Sequence, residues 1–189
     1  MFQVPELPAP VFEPPPARVY LTGFMGVGKT SAAWHLAMRI GWTFIDLDQL
    51  VRVQAQRDIP ALFAEGERVF REAERAALVS CNRVSRAVIA TGGGALLAPE
   101  ALALAQEDGT VVYLRLSAEA LAVRLAADDA PRPLLDGPDG RLRRDALRAR
   151  VDALLAERAP RYEEADIVVD VDGLVPFDVA RAVLSALDG

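Results

Sequence analysis

A glycine-rich segment near the start of the chain carries the clearest chemical signal. Residues 23–30 read Gly-Phe-Met-Gly-Val-Gly-Lys-Thr, which fits the pattern G-x-x-x-x-G-K-[ST]. Glycines in such a loop let successive backbone N–H groups turn inward around phosphate oxygens, and the dipole of a following helix adds to the attraction. The Lys29 ammonium can reach the outer phosphates of a nucleoside triphosphate, and the Thr30 hydroxyl can ligate Mg²⁺. The segment therefore predicts an ATP-binding phosphate loop.

The basic residues support this interpretation of the loop. Lys29 is the only lysine in the chain, and the other basic side chains are arginines and one histidine. A compact ammonium suits a loop that closes around one phosphate group better than a wide planar guanidinium does. The alternative is a glycine turn followed by a solvated lysine. The predicted ATP-binding residues of the loop are Gly26, Val27, Gly28, Lys29, Thr30 and Ser31.

Two carboxylates follow at a spacing that could serve a second substrate. Asp46 and Asp48 lie two residues apart at the end of a short apolar stretch, so both would point the same way off a strand. Ligands bind at the carboxyl edge of open α/β sheets. One carboxylate near Thr30 could hold Mg²⁺ through water, and the other could accept or orient an acceptor hydroxyl. The alternative is a solvated pair that caps the next helix.

A further charged pair falls within a helical stretch. Arg71 and Glu74 lie three residues apart in the segment 66–74, Gly-Glu-Arg-Val-Phe-Arg-Glu-Ala-Glu, and therefore share one helical face. An ordinary surface ion pair would have the same spacing. The segment alone does not separate a binding role from that alternative.

The elements that must position these residues alternate between strand and helix. Apolar patterns predict five strands, at 19–21, 43–47, 87–91, 110–116 and 167–171. They predict helices at about 29–41, 49–85 with a break near 58–60, 118–127, 145–158 and from 177. Strands separated by helices indicate an α/β fold with three layers, α/β/α, around a central five-stranded parallel sheet. Residues 128–144, rich in Asp, Pro, Gly and Arg, predict a surface loop without a core element.

Length and composition limit the classes of function. The 189 residues predict a proline-rich disordered tail at 1–16 and one domain at 17–189. A net charge of −6 argues against nucleic-acid and acidic-membrane partners. Cys81 is the single cysteine, which excludes an intramolecular disulfide and a thiolate cluster. Without a long apolar run or a signal-peptide pattern, the predicted location is the cytoplasm.

Six motifs in order resemble those of the shikimate kinase family. They are GFMGVGKT, FIDLD, GERVFREAE, TGGGALL, RPLL and RAPRY, and the resemblance covers residues 18 to about 175. It implies a P-loop kinase with a mobile lid at about 128–144. The implied reaction is Mg²⁺- and ATP-dependent phosphorylation of the 3-hydroxyl of shikimate, in chorismate and aromatic amino-acid biosynthesis. It further implies a monomer or weak dimer whose ligands are shikimate and ATP.

The resemblance also implies roles for individual residues. The residue matching Asp48 contacts the substrate hydroxyls, and the one matching Asp46 lies near the metal. Arg71 and Arg158 would bind the shikimate carboxylate, with Glu74 orienting Arg71. Arg132 would be the lid arginine that reaches the transferring phosphates. Gly92, Gly93 and Gly94 would present backbone to the acceptor. Phe63 and Phe70 would form the apolar wall behind its ring.

One departure from the family pattern concerns the residue that contacts the adenine base of ATP. Many members place an arginine in the loop before the last helix, where this chain has Asp172-Gly173-Leu174. Arg124 is then the alternative residue for stacking on the base, although a solvated helix arginine would fit the sequence equally well.

Three other functions compete with this interpretation. A gluconate kinase or a nucleoside-monophosphate kinase could share the phosphate loop, and a non-catalytic nucleotide-binding protein could retain it. The combination of FIDLD, GERVFREAE and RAPRY favours shikimate as the acceptor. A nucleotide acceptor would require a base pocket and more arginines, and a pure binding protein would have no need of acceptor or lid residues.

Overall fold

The chain forms a three-layer α/β fold. The computed structural model describes residues 18–128, 135–137, 140–141 and 144–189. The strands are β1 (Arg18–Thr22), β2 (Thr43–Asp46), β3 (Ala87–Ala90), β4 (Thr110–Arg115), β5 (Asp136–Gly137), β6 (Gly140–Arg141) and β7 (Ile167–Asp170). The helices are α1 (Lys29–Ile40), α2 (Leu47–Ala55), α3 (Ile59–Ala64), α4 (Glu67–Ser80), α5 (Pro99–Asp108), α6 (Ala118–Ala126), α7 (Arg144–Tyr162) and α8 (Pro176–Leu187), with a 3₁₀ turn at Cys81–Arg83.

The central sheet confirms the predicted fold class. Its five strands run in the order β2-β3-β1-β4-β7, and every neighbouring pair is parallel. Three adjacent strands, β2, β3 and β1, precede the predicted acidic, glycine and phosphate-loop segments. Because the carboxyl ends of parallel strands meet at one edge, this strand order brings the three segments together.

Alternation along the strands divides the core into two clusters. Val19 and Leu21 of β1 pack in the cluster that includes α1, α6, α7 and α8, whereas Tyr20 packs with α2, α4 and α5. Ile89 of β3 and Val111 of β4 join Tyr20 in the second cluster. The sheet is therefore covered by helices on both faces, as its apolar strands predict.

A buried polar network closes the opposite edge of the sheet. Arg18 donates to the carbonyl oxygens of Cys81, Asn82 and Val84, and it pairs with the Asp108 carboxylate at 2.7 Å. Tyr20 also donates to Asp108. Cys81 is a buried free thiol, as predicted, and burial raises its pKa to about 11.

Several predicted elements need correction. Helix α5 was not among the predicted elements, and α7 continues to Tyr162 rather than ending at 158, with Pro160 inside it. In the segment predicted to lack a core element, Leu135 is buried with Leu147 and Val151.

Two predicted segments cannot be compared with the structure. The tail at 1–16 and most of the lid at 128–144, including Arg132, lie outside the described residues. In the part of the chain that is described, no helix is long and apolar enough to cross a membrane.

Candidate active site

The phosphate loop joins β1 to α1 at the carboxyl edge of the sheet. Gly28 is the N-cap of α1 and has φ of 100°, a conformation that side-chain-bearing residues rarely adopt. Its carbonyl oxygen accepts from Ala32 N–H at 3.0 Å and starts the helix. The first turn of α1 contains no acidic residue, so the positive end of the helix dipole is not neutralised by its own side chains.

Lys29 folds back over this loop. Its Nζ donates to the carbonyl oxygens of Gly23 at 2.8 Å and Phe24 at 3.0 Å, and the side chain is largely buried. The ammonium thus lies against the loop whose backbone N–H groups would surround a phosphate. Together with its neighbours it lines a cavity of about 380 Å³, the loop cavity. Its other lining residues include Met25, Gly26, Gly28, Thr30, Ser31, Asp46, Asp48, Gly92 and Gly93.

Asp46 caps the next helix, as the sequence allowed, and lies beside Thr30. Its carboxylate accepts from Gln49 N–H at 3.0 Å and so caps α2, and it also accepts from the Thr30 hydroxyl at 3.0 Å. The bond to Thr30 brings β2 and the phosphate loop together through two oxygen atoms. Such hard oxygen donors are what Mg²⁺ prefers.

Asp48 lies in a different element from the one predicted. The strand ends at Asp46, and Asp48 belongs to the first turn of α2, so the two carboxylates do not extend from one strand face. Burial, and next the Asp46 carboxylate, raise the pKa of Asp48, while Lys29 opposes them. The Asp48 carboxylate therefore interacts electrostatically with Lys29 of the phosphate loop and with Arg71 of α4.

A second cavity, of about 400 Å³, adjoins the loop cavity. We call it the arginine cavity; it is lined by Met25, Asp48, Ile59, Phe63, Glu67, Phe70, Arg71, Glu74, Gly92, Gly93, Gly94 and Arg158. Four residues line both cavities, namely Met25, Asp48, Gly92 and Gly93. A ligand in each cavity would therefore meet the other beside Asp48.

Arg71 enters the arginine cavity from α4. Its guanidinium pairs with Glu74 at 2.7 Å and with Glu67 at 3.2 Å. The Glu74 side chain is only 6% exposed, so this pair differs from the surface ion pair that the sequence left open. Burial raises the pKa of Glu74, and Arg71 opposes that effect. Arg71 is therefore held in a fixed position, with its partly buried guanidinium at the arginine cavity.

Arg158 enters the same cavity from α7. It is buried, its Cζ lies 5.9 Å from the centre of the Phe24 ring, and its Nε has no hydrogen-bond partner among the described residues. A buried guanidinium N–H without a partner is costly unless a ligand satisfies it. Two guanidinium groups on different helices therefore face one cavity.

The remaining walls are aromatic rings and glycine backbone. Phe63 and Phe70 stack with ring centres 4.3 Å apart. A Cβ on Gly92 would lie 2.9 Å from both Asp48 Oδ1 and Glu74 Oε1, and one on Gly94 would lie 2.9 Å from the Arg71 guanidinium. Side chains at these two positions would displace the charged groups. The glycines therefore let the carboxylates and Arg71 pack directly against the backbone.

Some residues of the site were missed or misjudged from sequence. Tyr162 is buried and donates to the Gly93 carbonyl oxygen, but the predicted helix ended at 158, before this residue. The signal was its place four residues after Arg158, one helical turn further on. Arg124 donates to the carbonyl oxygens of Val27 at 2.9 Å and Leu174 at 3.2 Å, so it is tied to the phosphate loop and is not a solvated arginine.

Comparisons with known proteins agree on one family. The family model described as shikimate kinase matches residues 25–188. A shikimate kinase of Salinibacter ruber is 47% identical over 176 residues, covering 92% of this chain and 86% of the relative. The solved shikimate kinase of Acinetobacter baumannii in complex with shikimate has a TM-score of 0.81 at 32% identity, covering 94% of this chain and 96% of that one. The shikimate kinase of Bacteroides thetaiotaomicron gives 0.83 at 30%, covering 92% and 99%.

The parallel sheet, the phosphate loop after its first strand and the adjoining arginine cavity define a P-loop kinase of small molecules. The match of the family model over most of the chain identifies which family of small-molecule kinases this is. The chain belongs to the shikimate kinase family.

Proposed function

We propose that the protein transfers the γ-phosphoryl group of ATP to the 3-hydroxyl of shikimate, which yields shikimate 3-phosphate and ADP. This is a step of chorismate and aromatic amino-acid biosynthesis. One observation carries the proposal: a phosphate-loop cavity and a cavity with two guanidinium groups meet at the Asp48 carboxylate. Donor phosphate and acceptor hydroxyl would come together at that junction.

The loop cavity would hold the donor. The N–H groups at the start of α1 and the Lys29 ammonium offer positive charge on one side of the cavity. Phosphoryl transfer passes through a loose transition state whose charge is spread over the equatorial oxygens, so fixed positive charge stabilises it more than the ground state. Lys29 therefore both binds ATP and lowers the barrier.

Thr30 and Asp46 fit the Mg²⁺ that such a kinase requires. Their oxygens lie 3.0 Å apart beside the loop, and the described residues contain no cluster of three or more His, Cys, Asp or Glu side chains. Mg²⁺ binds in this manner, through one or two protein oxygens, with water and phosphates completing the octahedron. When bound, it neutralises charge on the phosphate oxygens. Thr30 would contact it directly, and Asp46 would do so through water.

The arginine cavity would hold the acceptor acid. A carboxylate between Arg71 and Arg158 would accept charge-assisted hydrogen bonds from two helices. Glu74 holds Arg71 in place at 2.7 Å. The stacked Phe63 and Phe70 rings support an apolar ring face, while Gly92–Gly94 allow close approach of the hydroxyls. An uncharged acceptor would offer no negative charge to the two guanidinium groups.

Asp48 would position the hydroxyl that attacks. Its carboxylate accepts the hydrogen bond of the acceptor hydroxyl and directs the oxygen lone pair at the γ-phosphorus. The raised pKa of Asp48 also makes it a better proton acceptor than a fully solvated aspartate. In a loose transition state little proton transfer is needed before the phosphorus–oxygen bond forms, so orientation is its main contribution.

The remaining parts of the proposal come from the family resemblance. Arg132, on the lid at 128–144, would reach the transferring phosphates and exclude water when the lid closes. Arg124 would stack on the adenine, because its guanidinium lies beside the loop at Val27. We further propose that the protein acts in the cytoplasm as a monomer or weak dimer, with no nucleic-acid or membrane partner.

A coupled ADP-release assay with several acceptors offered separately tests the proposal. With Mg²⁺ and ATP, shikimate should give rapid turnover, while gluconate and nucleoside monophosphates should give little above the rate without acceptor. Lys29→Met, which removes only the ammonium, should abolish turnover with shikimate and serves as the control for contaminating kinases. Turnover of an uncharged acceptor or a nucleotide with shikimate left unchanged would overturn the proposal.

A further inference from the structure

Tyr162 is a buried polar residue beside the arginine cavity that the proposed mechanism does not use. It lies at the end of α7, is 2% exposed, and stacks on Tyr113 with ring centres 5.1 Å apart and planes 25° apart. Its hydroxyl donates to the carbonyl oxygen of Gly93. A phenol fixed at both its ring and its oxygen is a rigid link between the helix and the glycine segment.

Arg158 lies on the same helix as Tyr162. The two residues are four apart on α7 and therefore share one face of the helix. Burial raises the pKa of Tyr162, whereas the nearby charge of Arg158 acts against it. The phenol stays neutral at physiological pH and keeps the proton that it donates to Gly93.

Arg158 depends on few other partners for its orientation. Its Nε has no hydrogen-bond partner in the described part of the chain, and its guanidinium lies 5.9 Å from the Phe24 ring centre. A ring face attracts the cation but does not fix its rotation about the side-chain axis. The helix backbone then decides where the guanidinium lies, and Tyr162 fixes the end of that helix through its bond to Gly93.

Gly93, the other partner of Tyr162, is in close contact with the phosphate loop. A Cβ at Gly93 would lie 3.3 Å from Met25 N and 3.7 Å from the Gly23 carbonyl oxygen. Gly93 also lines both cavities. Tyr162 thus connects the guanidinium that faces the acceptor with the backbone that separates acceptor from donor.

We propose that Tyr162 is a positioning residue that sets the distance between the acceptor carboxylate and the donor phosphates, by tying the end of the helix that carries Arg158 to the Gly93 backbone. This rests on the proposed function in so far as Arg158 binds the acceptor carboxylate. Without the hydroxyl, both anchors remain but their relative position is no longer fixed.

Tyr162→Phe tests this, because it removes only the oxygen and keeps the ring stack. The KM for shikimate should rise about tenfold, the size expected when a buried carbonyl loses its hydrogen bond and the helix that carries Arg158 shifts, and kcat should fall severalfold. The KM for ATP should change less than twofold. The control is Tyr113→Phe, which removes a hydroxyl from the other ring of the stack; among the described residues that hydroxyl makes no hydrogen bond. It should leave all three constants unchanged.

Thermal unfolding of both variants separates positioning from a structural role. We expect similar small changes of Tm for the two variants, with the kinetic effect confined to Tyr162→Phe. Unchanged shikimate KM and kcat in Tyr162→Phe, or equal increases in KM for shikimate and ATP, would overturn the positioning role. A wild-type enzyme that leaves shikimate unphosphorylated would instead overturn the proposed function.

Discussion

Asp48 combines a functional requirement with a cost to folding. Its carboxylate accepts the hydrogen bond of an acceptor hydroxyl more strongly when it is ionised, yet burial and the Asp46 carboxylate raise its pKa. Gly92 allows Glu74 to approach from the other side, with a would-be Cβ 2.9 Å from both carboxylates. Its surroundings therefore disfavour the ionised state, and perturbed carboxylates of this kind are common in active sites.

Asp48→Asn should reduce activity and stabilise the fold at neutral pH. Loss of the oriented acceptor should lower kcat about 100-fold with ATP affinity nearly unchanged. A carboxyl whose pKa is raised by folding favours the folded state at low pH, and that contribution is lost as the pH rises through the folded pKa. At pH 7 the neutral amide avoids this loss, so the variant should have the higher Tm.

The sign of the effect can be checked by thermal unfolding across a pH series. The Tm difference between Asp48→Asn and the wild type should shrink as the pH falls below the folded pKa of Asp48, where the wild-type side chain is also neutral. A variant that is less stable than the wild type at pH 7, or one with unchanged turnover, would contradict this account.

At the scale of elements, apolar alternation and loop composition predicted the sheet but not every helix. The five strands are apolar runs with clear bounds, so their number and parallel direction followed from the pattern. Helix α5 has an alanine-rich sequence with weak amphipathic contrast, and its Pro99 is at the first turn, where proline is tolerated. The helix predicted at 145–158 was too short, because α7 continues through Pro160 to Tyr162.

Two glycines allow a prediction that separates site geometry from fold stability. In Gly94→Ala the new methyl would meet the end of the flexible Arg71 side chain at 2.9 Å, so Arg71 should move and the fold should survive. The KM for shikimate should rise about tenfold, with Tm lowered by only a few degrees.

Gly109→Ala is the matched comparison at the other edge of the sheet. Its methyl would lie 2.3 Å from the Arg18 carbonyl oxygen, a backbone atom that cannot turn aside. It should lower the free energy of unfolding by about 1–3 kcal/mol and leave the KM for shikimate unchanged, as measured by denaturant unfolding and kinetics. The reverse pattern, in which Gly94→Ala unfolds the protein and Gly109→Ala alters KM, would contradict the assigned contacts.

At the scale of the whole molecule, the two tryptophans show where sequence reasoning reached its limit. Tryptophan is largely buried on average, which holds for Trp42, at 8% exposed, but not for Trp34, at 48% exposed. Trp34 lies on the outer side of α1, with its ring edge against His35. Residue type gives the tendency to be buried, but only the packing of α1 against α8 decides which side of the helix is covered.

The tryptophans should therefore differ in their contribution to stability. Trp42→Ala removes a buried ring from the larger core cluster and should cost about 3–5 kcal/mol of unfolding free energy. Trp34→Ala should cost less than about 1 kcal/mol, since half of its surface already faces water. Urea unfolding of both variants measures the difference; equal losses would mean that the two sites are packed alike.

The site shows the same division between local and global information. The phosphate loop and the Arg71–Glu74 pair follow from contiguous motifs, because their geometry is set within one loop or one helix. The role of Tyr162 depends on how α7 meets the segment after β3, a contact that spans 69 residues of sequence. Such long-range contacts have no local signal in a single sequence.

The central claim is that Arg71 and Arg158 bind the carboxylate of the acceptor. Calorimetric titration of shikimate, shikimate methyl ester and ATP into wild type and Arg158→Met tests it most directly, with Arg161→Met, a change at a partly exposed neighbour in α7, as control. The account predicts that Arg158→Met loses about 100-fold in affinity for the acid, while the ester, ATP and the control variant stay nearly unchanged. Equal losses for acid, ester and ATP, or no loss for the acid, would contradict it.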